Sequence, residues 1–310
     1  MTTATGTILP RRAAATGRFS VSVVSVEVPG PGLRGGTDAR LEVALLRRAR
    51  ALGVTGFDLS RSDAPLLSAR QLRDALPADD AEAVTFVGLP PPSLPAPGPR
   101  GPRDRPDPVG TLDAIHDALG RERRIVVLLD PTTSPEVTEE LDRRRRAGEL
   151  LDLVRPLDVS APGGIASDTG LRSTVLSLLR PEAAGVLAAL PPNTPPFVLG
   201  FDPFAGGALD GSRMARAPVE LGPRSAPSAV RELESSFAPV LQLGFLSRPG
   251  RPLHRAALDF VLGWPSVLTT VIPLPSPERI DAVLDVRASV PLTPSELARL
   301  GIGPSPPARG

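Results

Sequence analysis

The stretch Gly53-Val54-Thr55-Gly56-Phe57-Asp58-Leu59 decides the fold of this 310-residue chain. Its last six residues form a short apolar run that predicts a buried strand. A segment at 39–52, with apolar residues at helical spacing, precedes the run, and a helical segment ending at Leu76 follows it. A Val-rich strand is predicted next, at 84–89. This alternation is typical of β/α units around a parallel sheet.

The same alternation continues along the chain. Ser68 and Gln71 have the spacing of a capping box, which predicts that the second helix begins there. Further strands are predicted at 21–28, 125–129, 153–159, 174–179, 197–201 and 267–272. Further helices are predicted at 109–119, 134–147, 181–190, 228–237 and 253–262, then near Pro277 and after a cap formed by Thr293 and Glu296. Eight strands with helices between them predict an α/β protein of the (β/α)₈ TIM-barrel class.

The domain organisation follows from the same pattern. We expect a single domain over 1–310, because no internal repeat or linker divides the chain. Two segments rich in proline and glycine, at 90–108 and 205–227, predict long loops.

Composition excludes several kinds of chemistry. All 35 basic residues are arginine, and the chain has no lysine, tyrosine or cysteine. A phenolic proton donor, a Schiff-base amine and a thiolate are therefore all excluded.

The net charge of +1 predicts no nucleic-acid or anionic-membrane partner. We expect a cytoplasmic protein, because 1–12 lacks a signal-peptide pattern and the longest apolar run, 260–274, is too short to span a membrane. The expected partner is a small-molecule substrate. No pattern specifies an oligomeric state.

Segments between about residues 10 and 300 resemble the aldo/keto reductase superfamily, in the same order and spacing. They are Thr16-Gly17 with Val21-Ser22, Gly53–Asp58, Ala69–Leu76, Asp202-Pro203-Phe204 with Gly206-Gly207, and Val271-Ile272-Pro273 with Pro277–Ile280. The resemblance implies an N-terminal β-hairpin before the barrel, helices after it, and NADPH-dependent carbonyl reduction.

The catalytic tetrad of that family, an Asp, a Tyr, a Lys and a His, is only partly matched. Asp58 stands at the Asp position. The Tyr position falls on Asp63, the Lys position near Gly88 or Leu89, and the His position on Asp130. The chain therefore resembles a degenerate member that has lost three of the four catalytic groups.

The cofactor positions implied by the resemblance are also altered. Ser160 matches the serine that meets the nicotinamide carboxamide, whereas Asp202 replaces a serine that helps hold the pyrophosphate. Gly206 lies in the same loop, and Arg279 remains suitable for an adenosine phosphate. NADP binding would depend on these four residues, and the sequence favours no cofactor.

Several aspartates fall where predicted strands end, at the expected barrel mouth. They are Asp58, Asp130, Asp158 and Asp202, with Asp63 on an adjoining loop. Converging carboxylates would raise one another's pKa values and disfavour a polyanionic dinucleotide. Three interpretations stay open: turn and helix caps, acid/base or substrate contacts, and a divalent metal site. No ligand spacing specifies a metal.

Three functional hypotheses follow. The first is a protein that has lost carbonyl reduction and converts a small metabolite by cyclisation, dehydration or isomerisation, with Asp58, Asp63 and Asp130 as acid and base. Such a role would suit a bacterial biosynthetic pathway. The second is an NADPH-dependent reductase in which protonated Asp63 or Asp130 replaces the tyrosine. The third is a catalytically silent binding or scaffold protein.

Overall fold

A computed structural model describes residues 9–29, 39–89, 107–160, 170–191, 193–213, 237–286 and 290–302. The first two strands, β1 (Arg11–Ala13) and β2 (Ser20–Ser22), pair as an antiparallel hairpin. Eight parallel strands then close a barrel, in chain order around the ring. They are β3 (Val24–Glu27), β4 (Gly56–Asp58), β5 (Val84–Gly88), β6 (Arg124–Leu128), β7 (Asp152–Pro156), β8 (Leu171–Val175), β9 (Val198–Phe201) and β10 (Val267–Ile272). The predicted (β/α)₈ barrel and its opening hairpin are confirmed.

Helices alternate with these strands and also follow the last one. They are α1 (Ala39–Ala51), α2 (Pro65–Ala75), α3 (Pro108–Leu119), α4 (Pro135–Arg146), α5 (Glu182–Ala188), α6 (Leu253–Leu262), α7 (Ile280–Leu284) and α8 (Pro294–Arg299). Asp107, Ser134 and Thr293 cap α3, α4 and α8, each just before a proline in the first turn. Among the residues that the structure describes, no helix is long and apolar enough to cross a membrane.

The predicted start of α2 is wrong. The helix begins at Pro65, so Ser68 lies inside it and is not a cap. The Ser68 hydroxyl donates to the carbonyl of Pro29, and the Gln71 amide donates to Glu42 on α1. A fixed φ makes proline a favoured first helical residue, and both polar side chains are buried between elements instead of capping the helix.

Several predicted strands have different bounds, among them those at 21–28 and 174–179. The segment 21–28 is divided, because its first residues belong to the hairpin and only Val24–Glu27 enters the barrel. The strand predicted at 174–179 is Leu171–Val175, and the chain then turns through an isolated bridge between Ser177 and Arg180. The helix predicted at 228–237 and the two loops at 90–108 and 205–227 lie largely outside the described residues.

Side-chain alternation along β3 and β4 positions the site. Ser25 pairs with Gly56 and Glu27 pairs with Asp58, in parallel register. A side chain at Gly56 would meet the Ser25 hydroxyl at 1.9 Å, so both residues point to the same side of the wall. Because strand residues two apart share a face, Glu27 and Asp58 point to that side as well, one layer nearer the carboxyl ends of the strands.

Candidate functional site

A cavity of about 440 Å³ lies at the carboxyl ends of four neighbouring strands, β9, β10, β3 and β4. We call it the mouth cavity, because this end of a (β/α)₈ barrel carries the active site. Part of its wall is apolar, formed by Val28, Phe204, Leu274 and Val283. Its charged wall residues are Glu27, Asp58, Arg61, Asp202, Asp210 and Arg279. The mouth cavity thus combines four acidic and two basic side chains with an apolar surface.

Asp58 is the most deeply buried of these charged residues. It ends β4 beside Glu27, and only 1% of it is exposed. Its Oδ1 atom accepts a hydrogen bond of 3.1 Å from the backbone N–H of Ser60. Its Oδ2 atom is buried and has no hydrogen-bond partner among the described residues. Because buried polar atoms are nearly always paired, Oδ2 is available for a proton, a water or a ligand.

Burial raises the pKa of Asp58 from its ordinary value to about 7. The hydrogen bonds from Ser60 lower this pKa, the charge of Glu27 raises it further and the charge of Arg61 lowers it. The loss of hydration outweighs the attractive interactions, since Arg61 is hydrogen-bonded to Glu27 at 3.4 Å. At neutral pH the Asp58 carboxyl is therefore divided between its acid and base forms.

The loop after β9 places a second carboxylate in the wall. Asp202 has a φ of 55°, in the left-handed region that an aspartate tolerates better than most residues. Its Oδ1 atom accepts a hydrogen bond of 2.7 Å from the backbone N–H of Gly206. Across the same loop, Arg279 donates to Asp210 at 3.3 Å. Each of these two donors is thus directed at a carboxylate of the chain itself.

Solved structures with this architecture are known. An aldo-keto reductase from Bacillus halodurans superposes in its holo form with a TM-score of 0.61 at 17% identity, covering 94% of this chain and 95% of that one. Its apo form gives 0.62 at 16% identity, with coverages of 94% and 95%. This chain has the aldo-keto reductase fold.

A proposed aldo-keto reductase from Pseudomonas aeruginosa gives a TM-score of 0.58 at 15% identity, with coverages of 91% and 98%. By sequence, no protein-family model and no curated protein matches the chain. The likeness to these reductases therefore rests on the fold.

The resemblance places a lysine near Gly88 or Leu89, and the space beside Gly88 is filled by Ser60. A Cβ atom at Gly88 would lie 2.9 Å from the Cβ and 3.0 Å from the Cα of Ser60. A side chain there would have to displace Ser60, whose N–H holds Asp58. Ser60 thus fills the space beside Gly88 and gives Asp58 a backbone hydrogen-bond donor.

The resemblance assigns certain hydrogen-bond donors to NADP. In the described part of the chain these donors have other partners and do not fit NADP. Gly206 N–H is directed at Asp202 and Arg279 at Asp210, so each faces a carboxylate of the chain. The Ser160 hydroxyl is exposed and donates to Asp158, away from the mouth cavity. A phosphate about 4 Å from a carboxylate costs roughly 4 kcal/mol at an effective dielectric constant of about 20.

The remaining predicted acids are not brought to the mouth cavity. Asp63 is exposed on the loop before α2. Asp130 accepts hydrogen bonds from the N–H and hydroxyl of Thr132, and Asp158 accepts from Ser160 in the same way. These are the turns that aspartates commonly stabilise. The described residues contain no group of three or more potential ligands that could hold a metal ion.

Sequence reasoning missed three of the charged wall residues. Glu27 could have been found, because it ends β3 in register with Asp58, but the predicted strand 21–28 merged β3 with the hairpin. Arg61 and Asp210 lie in loops after β4 and β9. Strand periodicity gives no information about loop side chains, so nothing in the pattern marked them.

Proposed function

We propose that this protein is a proton-transfer enzyme that uses the aldo-keto reductase fold without nicotinamide chemistry. Asp58 is the residue that exchanges protons with a small molecule bound in the mouth cavity. One observation carries the proposal: a buried carboxyl, with one oxygen unpartnered among the described residues and a pKa of about 7, borders that cavity.

The chemistry of Asp58 suits reactions without net oxidation or reduction. A general acid or base works best when its pKa lies near the working pH, since both protonation states are then available. Cyclisation, dehydration and isomerisation each remove a proton from one atom and add a proton to another. A single carboxyl that is half protonated near pH 7 can serve both steps.

Carbonyl reduction is supported less well. The chain has no tyrosine or lysine. Asp63 and Asp130, which were expected to replace the tyrosine as acid, do not line the mouth cavity. The carboxylates facing Gly206 and Arg279 oppose the phosphates of NADP. A binding or scaffold role would leave the unusual state of Asp58 without a use.

We also place the enzyme in small-molecule biosynthesis in a bacterial cytoplasm. The support for this setting is indirect, since the structurally similar reductases are bacterial proteins. A small-molecule substrate is supported by the size of the mouth cavity, about 440 Å³.

The test is to incubate the protein with a panel of small amines and carbonyl compounds, with and without NADPH, and to detect products by NMR. We expect conversion that needs no NADPH and that is lost in Asp58→Asn. Conversion that consumes NADPH and survives in Asp58→Asn would support the reductase hypothesis instead. A protein that binds panel members but converts none would support the silent binding role.

A further inference from the structure

We propose that the ligand of the mouth cavity carries a cationic nitrogen on an apolar body. The proposal deepens the proposed function and rests on it, because it names the substrate class of the same site. It follows from two features of the wall: which of its charged residues form ion pairs with one another, and which apolar side chains border the same space.

The two basic residues of the wall are each held by an acidic neighbour. Arg61 donates to Glu27 at 3.4 Å, and Arg279 donates to Asp210 at 3.3 Å. These contacts offset two of the four acidic charges in the mouth cavity. The arginines are therefore poor receptors for an anionic ligand, which would have to compete with carboxylates already in place.

The other two acidic residues have no ion-pair partner in the described part of the chain. In the described ranges, neither Asp58 nor Asp202 forms an ion pair. Asp58 is 1% exposed, and its buried Oδ2 atom lacks a hydrogen-bond donor. Asp202 accepts from Gly206 N–H through Oδ1. A cavity that is acidic on balance and holds an unsatisfied buried acceptor fits a ligand with N–H donors and positive charge.

The rest of the wall suits an apolar body. Val28, Phe204, Leu274 and Val283 border the same space as the two aspartates. A volume of about 440 Å³ accommodates a small ring with its substituents. Burying such a body against aliphatic and aromatic side chains provides the affinity that a solvated ammonium group alone lacks.

The experiment uses three probes of nearly equal shape: benzylamine, benzyl alcohol and benzoate. Their affinities are measured by isothermal titration calorimetry at pH 8, where the amine is still protonated and Asp58 is largely ionised. We expect benzylamine to bind at least about tenfold more tightly than benzyl alcohol, and benzoate to bind most weakly. Equal affinities for the amine and the alcohol, or a preference for benzoate, would overturn the proposal.

Variants of the two unpaired aspartates test which carboxylates produce the preference for benzylamine. Asp202→Asn keeps an oxygen that can accept from Gly206 and removes one charge. We expect it to weaken the binding of benzylamine by about tenfold and to leave the affinity for benzyl alcohol nearly unchanged. Asp58→Asn should act in the same direction. Asp117→Asn is the matched control, because Asp117 of α3 pairs with Arg121 at an exposed position and neither residue lines the mouth cavity. If the amine preference survives both cavity substitutions, the ammonium group does not bind where we place it.

Failure of this proposal can be told from failure of the proposed function. If the three probes bind equally while Asp58 titrates near neutrality, the substrate class is wrong and the proton-transfer role stands. If Asp58 titrates like an ordinary aspartate while Asp202→Asn still weakens benzylamine, the substrate class stands and the proton-transfer role fails.

Discussion

Two strand-end aspartates in this barrel have the same place in the topology and different surroundings. Asp58 ends β4, is 1% exposed and borders the mouth cavity, with one oxygen unpartnered among the described residues. Asp130 follows β6, is partly exposed and accepts from the N–H and hydroxyl of Thr132. The position at a strand end fixes which rim of the barrel a carboxylate lies on. Burial and local hydrogen bonds determine whether its oxygens are held in a turn or one of them is left without a partner.

The largest expected effect is a pH-dependent difference between wild type and Asp58→Asn. Burial raises the pKa of Asp58 to about 7 in the folded state, so folding favours its protonated form. Its stabilising contribution is complete below about pH 4 and is lost as the pH rises to about 7. The stability of Asp58→Asn relative to wild type should therefore rise by about 4 kcal/mol between pH 4 and pH 8, as measured by urea unfolding.

Asp130→Asn provides the reference at the same two pH values. It keeps an oxygen that can accept from Thr132, so its stability should stay within about 0.5 kcal/mol of wild type at pH 8. A constant difference between Asp58→Asn and wild type across the range would remove the contrast between the two aspartates.

An intermediate effect is expected for Gly88→Ala, which tests the hydrogen bond that the Ser60 N–H donates to Asp58. The new Cβ would approach both the Cβ and the backbone of Ser60, at 2.9 Å and 3.0 Å. Because backbone must shift, we expect a loss of about 1–3 kcal/mol in the free energy of unfolding. Displacing the Ser60 N–H should also move the pKa of Asp58 upward, since that hydrogen bond lowers it. Unchanged stability would show that Ser60 does not fill the space beside Gly88.

A smaller effect than that of Gly88→Ala is expected for Asp130→Ala. This change removes the acceptor of the Thr132 N–H, a bond of 2.8 Å at a partly exposed turn. We expect the free energy of unfolding to fall by about 1 kcal/mol, in the range of a lost capping bond. A loss of the amine preference of the mouth cavity in this variant would show that Asp130 belongs to the site.

Most of the barrel could be predicted from the sequence, because buried strands and amphipathic helices leave periodic patterns. The strand Val267–Ile272 and the helix Leu253–Leu262 have the bounds that their patterns predict. The hairpin was merged with β3 because valines recur throughout Val21–Val28 and no glycine or proline divides the segment. The candidate site could be predicted only in part, since the strand-end rule indicated Asp58 and Asp202 but could not distinguish them from Asp130. That distinction depends on burial and on the contacts of single oxygen atoms, which no pattern in the chain encodes.

The most direct test of the account is a pH titration of the Asp58 carboxyl carbon by ¹³C NMR, with Asp58→Asn used to assign the signal. We predict a midpoint near pH 7, because desolvation in the wall of the mouth cavity opposes ionisation. A midpoint near 4, the value of a solvated aspartate, would contradict it.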